Sequence, residues 1–241
     1  MVETARTRTA RDTALEVLLT VERDGAYANL ALDAALARSG LSPRDRALAT
    51  ELVYGTLRRR NTLDWALAPH LRRPLTAMDA AVRNLLRLGA YQLIYLEGIP
   101  ARAACHESVE AARRFGFSSA AGLVNAVLRH LQRSLPLTFP DPGRKPVDHL
   151  ALLHSHPPWV VAEWLETFGF EETAALLAAG NRPAPATVRV NTLKTTPAEL
   201  RRRLEEMGAE VRPARFAPEG LHLDQALADH PLFTAGWYFI Q

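Results

Sequence analysis

The sequence predicts a mainly α chain, an all-α bundle followed by a small α+β domain. Three observations point there. Through residues 9–133 the apolar side chains recur at helical spacing, with no strand pattern among them. Six prolines then fall within residues 134–158, against four in the preceding 133, which marks a linker or boundary. Beyond it, short alternating stretches appear for the first time, interleaved with helical ones.

The helices follow in order. Ala14, Leu15, Val17, Leu18 and Val21 form one apolar face, and Asp24-Gly25 ends that helix. A second runs from Tyr27 to Arg38, with Leu30, Leu32 and Leu36, and stops at Ser39-Gly40. Ser42-Pro43-Arg44-Asp45 starts a third: serine accepts from free N–H groups, proline suits the first turn and aspartate complements the dipole. Leu48, Leu52, Val53 and Leu57 continue it, and a short fourth covers Asn61–Ala68. Thr76-Ala77-Met78-Asp79 begins a long fifth with Val82, Leu85, Leu86, Leu93 and Ile94, broken by Gly98-Ile99-Pro100. A sixth reaches Phe115, and Gly116 ends it. Ser118 or Ser119 then caps a seventh whose buried side carries Leu123, Val124, Val127, Leu128 and Leu131.

A short helix is expected at Val147–His154, and two more at 158–168 and 171–179, the last ended by Gly180. Thr187-Val188-Arg189-Val190-Asn191 alternates and reads as a strand, with Val188 and Val190 toward the core. Thr196-Pro197-Ala198-Glu199 is a capping box, and Gly208 closes that helix. Glu210-Val211-Arg212, Leu221-His222-Leu223 and Trp237-Tyr238-Phe239-Ile240 are the remaining strand candidates.

Apolar residues make up 48% of the chain and charged residues 23%, the balance of a globular protein with a packed core. No apolar run approaches the roughly 18–20 residues of a membrane span. The first eleven residues lack the apolar core of a secretory signal, and Glu3 with the early helix argues against a transit peptide. The single cysteine, Cys105, excludes an internal disulfide and any multi-cysteine metal site. A reducing, cytoplasmic setting is expected. Charge is uneven: residues 1–140 hold 19 Lys and Arg against 13 Asp and Glu, residues 141–241 hold 10 against 13. A basic segment is the footprint of an anionic partner, most often nucleic acid. The cations are arginines save Lys145 and Lys194. Arginine forks onto phosphate and stacks on bases; an arginine-rich codon bias would give the same count.

Catalytic motifs are absent. There is no G-x-G-x-x-G, P-loop or H-E-x-x-H pattern. His154-Ser155-His156 lacks a third metal ligand, and loop histidines beside prolines are more often capping or surface groups. Cys105 shares a helical face with Ala101, Val109 and Ala112, where a buried thiol is inert. No catalytic, cofactor-binding or metal-binding residue is assigned. The candidates are for binding. Arg6, Arg8 and Arg11 precede or open the first helix, where positive charge opposes the macrodipole. A phosphate partner would explain that placement, and so would a solvated tail. Arg189 and Asn191 share strand parity and read as an RNA contact or as surface alternation. Arg58-Arg59-Arg60 suits a helix C-terminus, and Arg201-Arg202-Arg203 pairs with Glu205 and Glu206 at helical spacing.

Several stretches together resemble one family. Leu52-Val53-Tyr54-Gly55-Thr56-Leu57-Arg58, Gly89-Ala90-Tyr91-Gln92-Leu93-Ile94-Tyr95, Ile99-Pro100, Glu107-Ser108-Val109-Glu110 and Gly122-Leu123-Val124-Asn125-Ala126-Val127-Leu128-Arg129 resemble the NusB-like RNA-binding helical domain. His156-Pro157-Pro158-Trp159, Asn181-Arg182-Pro183, Arg189-Val190-Asn191-Thr192 and Gly236–Gln241 resemble the following domain of the RsmB (Sun) family. That family is the small-subunit ribosomal RNA cytosine-5 methyltransferases.

The resemblance implies four segments: a NusB-like RNA-binding bundle at 1–138, a Pro-rich linker at 139–146, a small α+β RNA-binding domain at 147–235, and the first residues of a truncated, Rossmann-like methyltransferase domain at 236–241. It implies the RNA-binding part of an S-adenosylmethionine-dependent 16S ribosomal RNA (cytosine-5) methyltransferase. Small-subunit ribosomal RNA is the implied partner, with no membrane and no metal. The family's two catalytic cysteines belong to a domain this sequence does not contain, so residues 1–241 alone are expected to be catalytically inactive and to bind no cofactor. Ending on an apolar strand leads us to expect a longer parent chain. The competing reading is a non-enzymatic NusB-like antitermination factor, which would not need residues 156–241; a decayed gene product that folds only in its first half is a third.

Overall fold

The computed structural model describes residues 8–224 and 230–241. The chain forms two compact units, divided in sequence between Asn181 and Arg182.

The first unit is helical. It comprises α1 (Ala10–Asp24), α2 (Ala28–Ser39), α3 (Pro43–Arg58), α4 (Arg60–Leu67), α5 (Ala80–Tyr95), α6 (Ala101–Arg114), α7 (Ala121–Arg133), α8 (Pro146–His154) and α9 (Pro158–Gly180). Most boundaries follow from cap chemistry. Thr9 and Asp12 form a reciprocal capping box on α1, and Gly25 ends it with a φ of 66°. Ser42 accepts from the Asp45 amide with Pro43 in the first turn of α3. Two starts differ from expectation. Leu75–Ala77 forms a 3-10 turn, so α5 begins later, capped by Asp79 Oδ1 at 2.7 Å from the Ala81 amide. Ser118–Ala120 is also a 3-10 turn, and neither serine caps α7. The Ala120 amide is satisfied by the Phe117 carbonyl at 2.9 Å instead.

Most of the expected apolar faces close one core, with Leu15, Leu18, Leu52, Leu85, Leu86, Val124, Leu128 and Leu131 all buried, whereas Leu30 and Leu123, expected on those faces, are exposed. Two glycines set close helix approaches. A β-carbon at Gly55 would overlap the Tyr91 ring, and one at Gly89 would strike Leu128 and Ser108.

An ion cluster ties α1, α4 and α5. Arg87, 8% exposed, forks onto Asp64 with both contacts at 2.7 Å and reaches Glu22 at 3.3 Å. Glu22 also accepts from Arg83 and from Asn84 at 2.5 Å. Burial pushes the Glu22 carboxyl up, but the Arg83 and Asn84 hydrogen bonds and the arginine charges outweigh it and hold it below its ordinary value. Its stabilising contribution is therefore full above the unfolded carboxylate value and is lost as pH falls through the lower folded one. We predict that Glu22→Gln flattens the pH dependence of melting between about pH 5 and pH 3. Melting curves of variant and parent that fall in parallel over that range would refute this.

The stretch after α7 is packed rather than free. Phe139 stacks on Trp65 with centroids 5.3 Å apart, and the His149 ring bonds the Pro140 carbonyl at 2.7 Å. Thr62 Oγ1 donates to the Leu152 carbonyl at 2.5 Å, and Ser155 Oγ accepts from the Asn61 amide at 3.1 Å. Ser155 thus caps α4 from 94 residues away, in the left-handed region at φ 59°. The compact division lies at 181/182, and α8 and α9 sit in the helical unit. Gly169, at φ 76°, breaks α9 into the two segments expected from sequence.

The second unit runs β1 (Ala186–Val190), α10 (Pro197–Glu206), β2 (Val211–Pro213), β3 (Gly220–Leu223), α11 (Pro231–Thr234) and β4 (Tyr238–Ile240). The sheet order is β2-β3-β1-β4 with every neighbour antiparallel. Parity is as expected: Val188 and Val190 are buried with Leu200, Leu204, Val211, Leu221, Leu223 and Tyr238. Residues 238–240, assigned by sequence to the start of a further domain, form an edge strand of this sheet, with Val190 opposite Tyr238 and Val188 opposite Ile240. Only half of the expected capping box on α10 forms: Thr196 accepts from the Glu199 amide, while the Glu199 carboxylate turns to Arg202 and Arg203.

Candidate nucleic-acid interface

The sequence candidates meet different fates. Arg6 lies outside the described residues. Arg8 pairs with Glu16 at 2.5 Å, and Arg11 Nε donates to Gln92 Oε1 at 2.7 Å between α1 and α5. Burial lowers the Arg11 pKa, with Glu107 opposing. Both charges remain in place, but each has an internal partner.

Arg189 and Asn191 do not form the expected pair. Arg189 stands exposed on the outward face of β1, with its guanidinium 5.5 Å from the Phe239 ring centroid. Asn191 lies past the strand end. Its amide donates to the Gly236 carbonyl at 2.8 Å, and its Oδ1 accepts from the Leu193 amide at 3.2 Å. An asparagine spent on both ends of a turn has a structural role that strand parity alone does not reveal.

The same outward face carries further side chains that sequence spacing did not single out. Phe239, 46% exposed, stands opposite Arg189. In the next row Thr187 faces His222, bonded at 2.9 Å, and His222 faces exposed Arg212. A guanidinium beside an open aromatic ring offers two planar surfaces to a base, and His222 and Arg212 add donors. The alternation of Leu221-His222-Leu223 and Tyr238-Phe239-Ile240 could have located them.

The other arginine runs are mostly exposed, and the run on α10 is paired within the chain. Arg201 pairs with Glu205 at 2.7 Å and Arg202 with Glu206 at 2.6 Å, the helical pairs expected from spacing, and Arg203 covers Trp237. Arg59 lies 4.9 Å from the Tyr95 ring centroid. It borders an apolar cavity of about 840 Å³ with Ile94, Leu135, Phe139 and His154, whose pKa burial lowers. Cys105 is fully buried, and burial raises its thiol pKa while Arg129 opposes. Among the described residues there is no group of three or more His, Cys, Asp and Glu that could hold a metal ion. No described helix is long and apolar enough to cross a membrane.

A helical unit and a four-stranded β-α-β-β-α-β unit, each with arginines at its surface, define a two-module chain with no described catalytic constellation. Residues 8–133 match the NusB family, and residues 156–229 match the ferredoxin-like domain of RsmF/B-like methyltransferases. The chain belongs to the RsmB family, of which it carries the N-terminal NusB domain and the ferredoxin-like domain. It is 41% identical over 213 residues to the probable ribosomal RNA small subunit methyltransferase B of Bacillus subtilis, covering 88% of this chain and 47% of that one. The Synechocystis protein described in the same words is 34% identical over 239 residues, covering 96% and 52%. The chain thus spans about half the length of the curated relatives it matches. The crystal structure of PH0851 shares the fold, with a TM-score of 0.71 at 16% identity over 95% of this chain and 53% of that one.

Proposed function

We propose that this chain is the RNA-recognition part of a small-subunit ribosomal RNA methyltransferase. In this reading the whole protein takes its methyl group from S-adenosylmethionine and modifies carbon 5 of one cytosine. The chemistry is supplied outside the described residues, since the lone thiol, Cys105, is buried. The observation that carries the reading is the pair of domain matches, in one order, in a chain similar over 88% and 96% of its length to relatives named as ribosomal RNA small subunit methyltransferases. The match at 156–229 favours it over an antitermination factor, which has no need of that domain. The basic N-terminal segment supplies phosphate contact through Arg6, Arg8 and Arg11. The open face of β1 and β4 supplies stacking through Arg189 and Phe239; Asn191 holds the turn beside it.

The expected result is binding of a small-subunit ribosomal RNA fragment with log affinity falling linearly against log salt. Phe239→Ala weakens it by about 1–3 kcal/mol if one base stacks there. Charge reversal of Arg6, Arg8 and Arg11 lowers the salt slope by roughly 0.7–0.9 for each phosphate no longer neutralised. A slope and affinity left unchanged by the reversal would remove the N-terminal arginines from the interface. Equal affinity for unrelated RNA of the same length would remove the ribosomal target.

A further inference from the structure

The helical unit has a second arginine surface on its far-sequence helices. Arg102, His106 and Arg113 lie along one stripe of α6, and Asn125 and Arg129 along one stripe of α7. Together with Glu110 they line a groove of about 650 Å³. Their opposite faces are core: Ala104, Cys105 and Ala112 on α6, Val124, Val127 and Leu128 on α7. Packing these two apolar faces therefore sets the two polar stripes side by side.

Charge in the groove is poorly compensated. Its one carboxylate, Glu110, is taken by Arg113. Among the described residues Arg102 and Arg129 have no ion-pair partner, and Arg129 meets only the neutral Gln132 amide, at 3.3 Å. By contrast, Arg83, Arg87 and Arg114, which tie helices together, each have a carboxylate. Like charges gathered without counter-charge gain nothing for folding, and their placement is accounted for by an external anion. Asn125, exposed, adds an amide that donates and accepts, suited to a phosphate oxygen or a ribose hydroxyl.

The groove also has an extent suited to a strand. Arg102 and Arg113 lie 11 residues apart on α6, roughly 16 Å at 1.5 Å per residue. At the head of α6, Pro100 and Ala103 are shared with a second cavity of about 590 Å³, where Asp45, Glu51 and Glu97 outnumber Arg11 and Arg44, so the uncompensated positive charge is confined to the α6–α7 groove.

We propose that the α6–α7 groove binds the sugar-phosphate backbone of an RNA strand, with Arg102 and Arg129 as the phosphate contacts. This rests on the RNA-recognition reading above and gives that RNA a path on the helical unit.

The test is a salt titration of the whole chain against a small-subunit ribosomal RNA fragment, with a poly-glutamate peptide as a second probe. The Arg102→Gln/Arg129→Gln variant is expected to bind the RNA on the order of tenfold more weakly, with a salt slope lower by roughly 1.4–1.8. Asn125→Asp, which leaves both arginines in place and puts a negative charge in the same groove, is expected to weaken binding in the same direction. Melting curves of both variants should match the parent. If the parent binds the RNA and both variants bind it equally well, the groove is not the path, and the RNA reading stands. If the parent binds no RNA, both fall together. If the variants keep RNA affinity and lose poly-glutamate, the groove is a site for an acidic protein segment and the proposal is overturned.

Discussion

Gly55→Ala is expected to destabilise the helical unit by about 1–3 kcal/mol, lowering the melting temperature by several degrees at roughly 2–4 °C per kcal/mol. Local propensity predicts the opposite, since alanine is about 1 kcal/mol better than glycine inside a helix. The tertiary contact decides. The added methyl would lie within the Tyr91 ring, where α3 crosses α5. Tyr91 has little room to yield: its hydroxyl donates to Glu51, and its ring stacks on Tyr95 with centroids 5.4 Å apart. Thermal unfolding followed by circular dichroism is the measurement. A variant melting at or above the parent would mean that α3 and α5 are not in this close approach.

Arg87→Met is expected to have the larger effect, about 2–4 kcal/mol, near the lower end of what breaking a buried pair costs. The substitution removes the cation between Asp64 and Glu22 and leaves Asp64 with no arginine. The side chains of Asp64 and Glu22 are 34% and 28% exposed, so solvent screens part of the loss. The double variant Arg87→Met/Asp64→Leu is expected to recover much of it, because an apolar pair replaces an uncompensated charge. Urea unfolding of the parent, both single variants and the double measures the coupling. Additive losses would show that the fork carries no net interaction.

The cluster and the glycine contact share a feature with the α6–α7 groove. Each joins residues far apart in the chain, and none has a sequence signature. Gly55 and Tyr91 both sit within the stretches that carry the family resemblance, yet nothing in those stretches tells that one is hollow for the other. Arg102 and Arg129 are single arginines in ordinary helical stretches. The eye goes instead to Arg201-Arg202-Arg203, where neighbouring glutamates take the charge. Arg8 and Arg11 are legible as cations near a helix start, but Glu16 and Gln92 are not legible as their partners.

Local sequence is enough to specify the helical periodicity, the caps at Thr9 and Ser42, the strand parity of Val188 and Val190, and the order of the two modules. These depend on neighbours within a few residues or on which face is apolar, and both are written along the chain. Other features exist only once the chain is packed: Ser155 caps α4 across 94 residues, Asn191 closes a turn on Gly236, and the compact division falls at Asn181. A capping oxygen or a turn amide takes whichever partner the packed chain brings within about 3 Å. That choice is made by long-range packing, which no local spacing encodes.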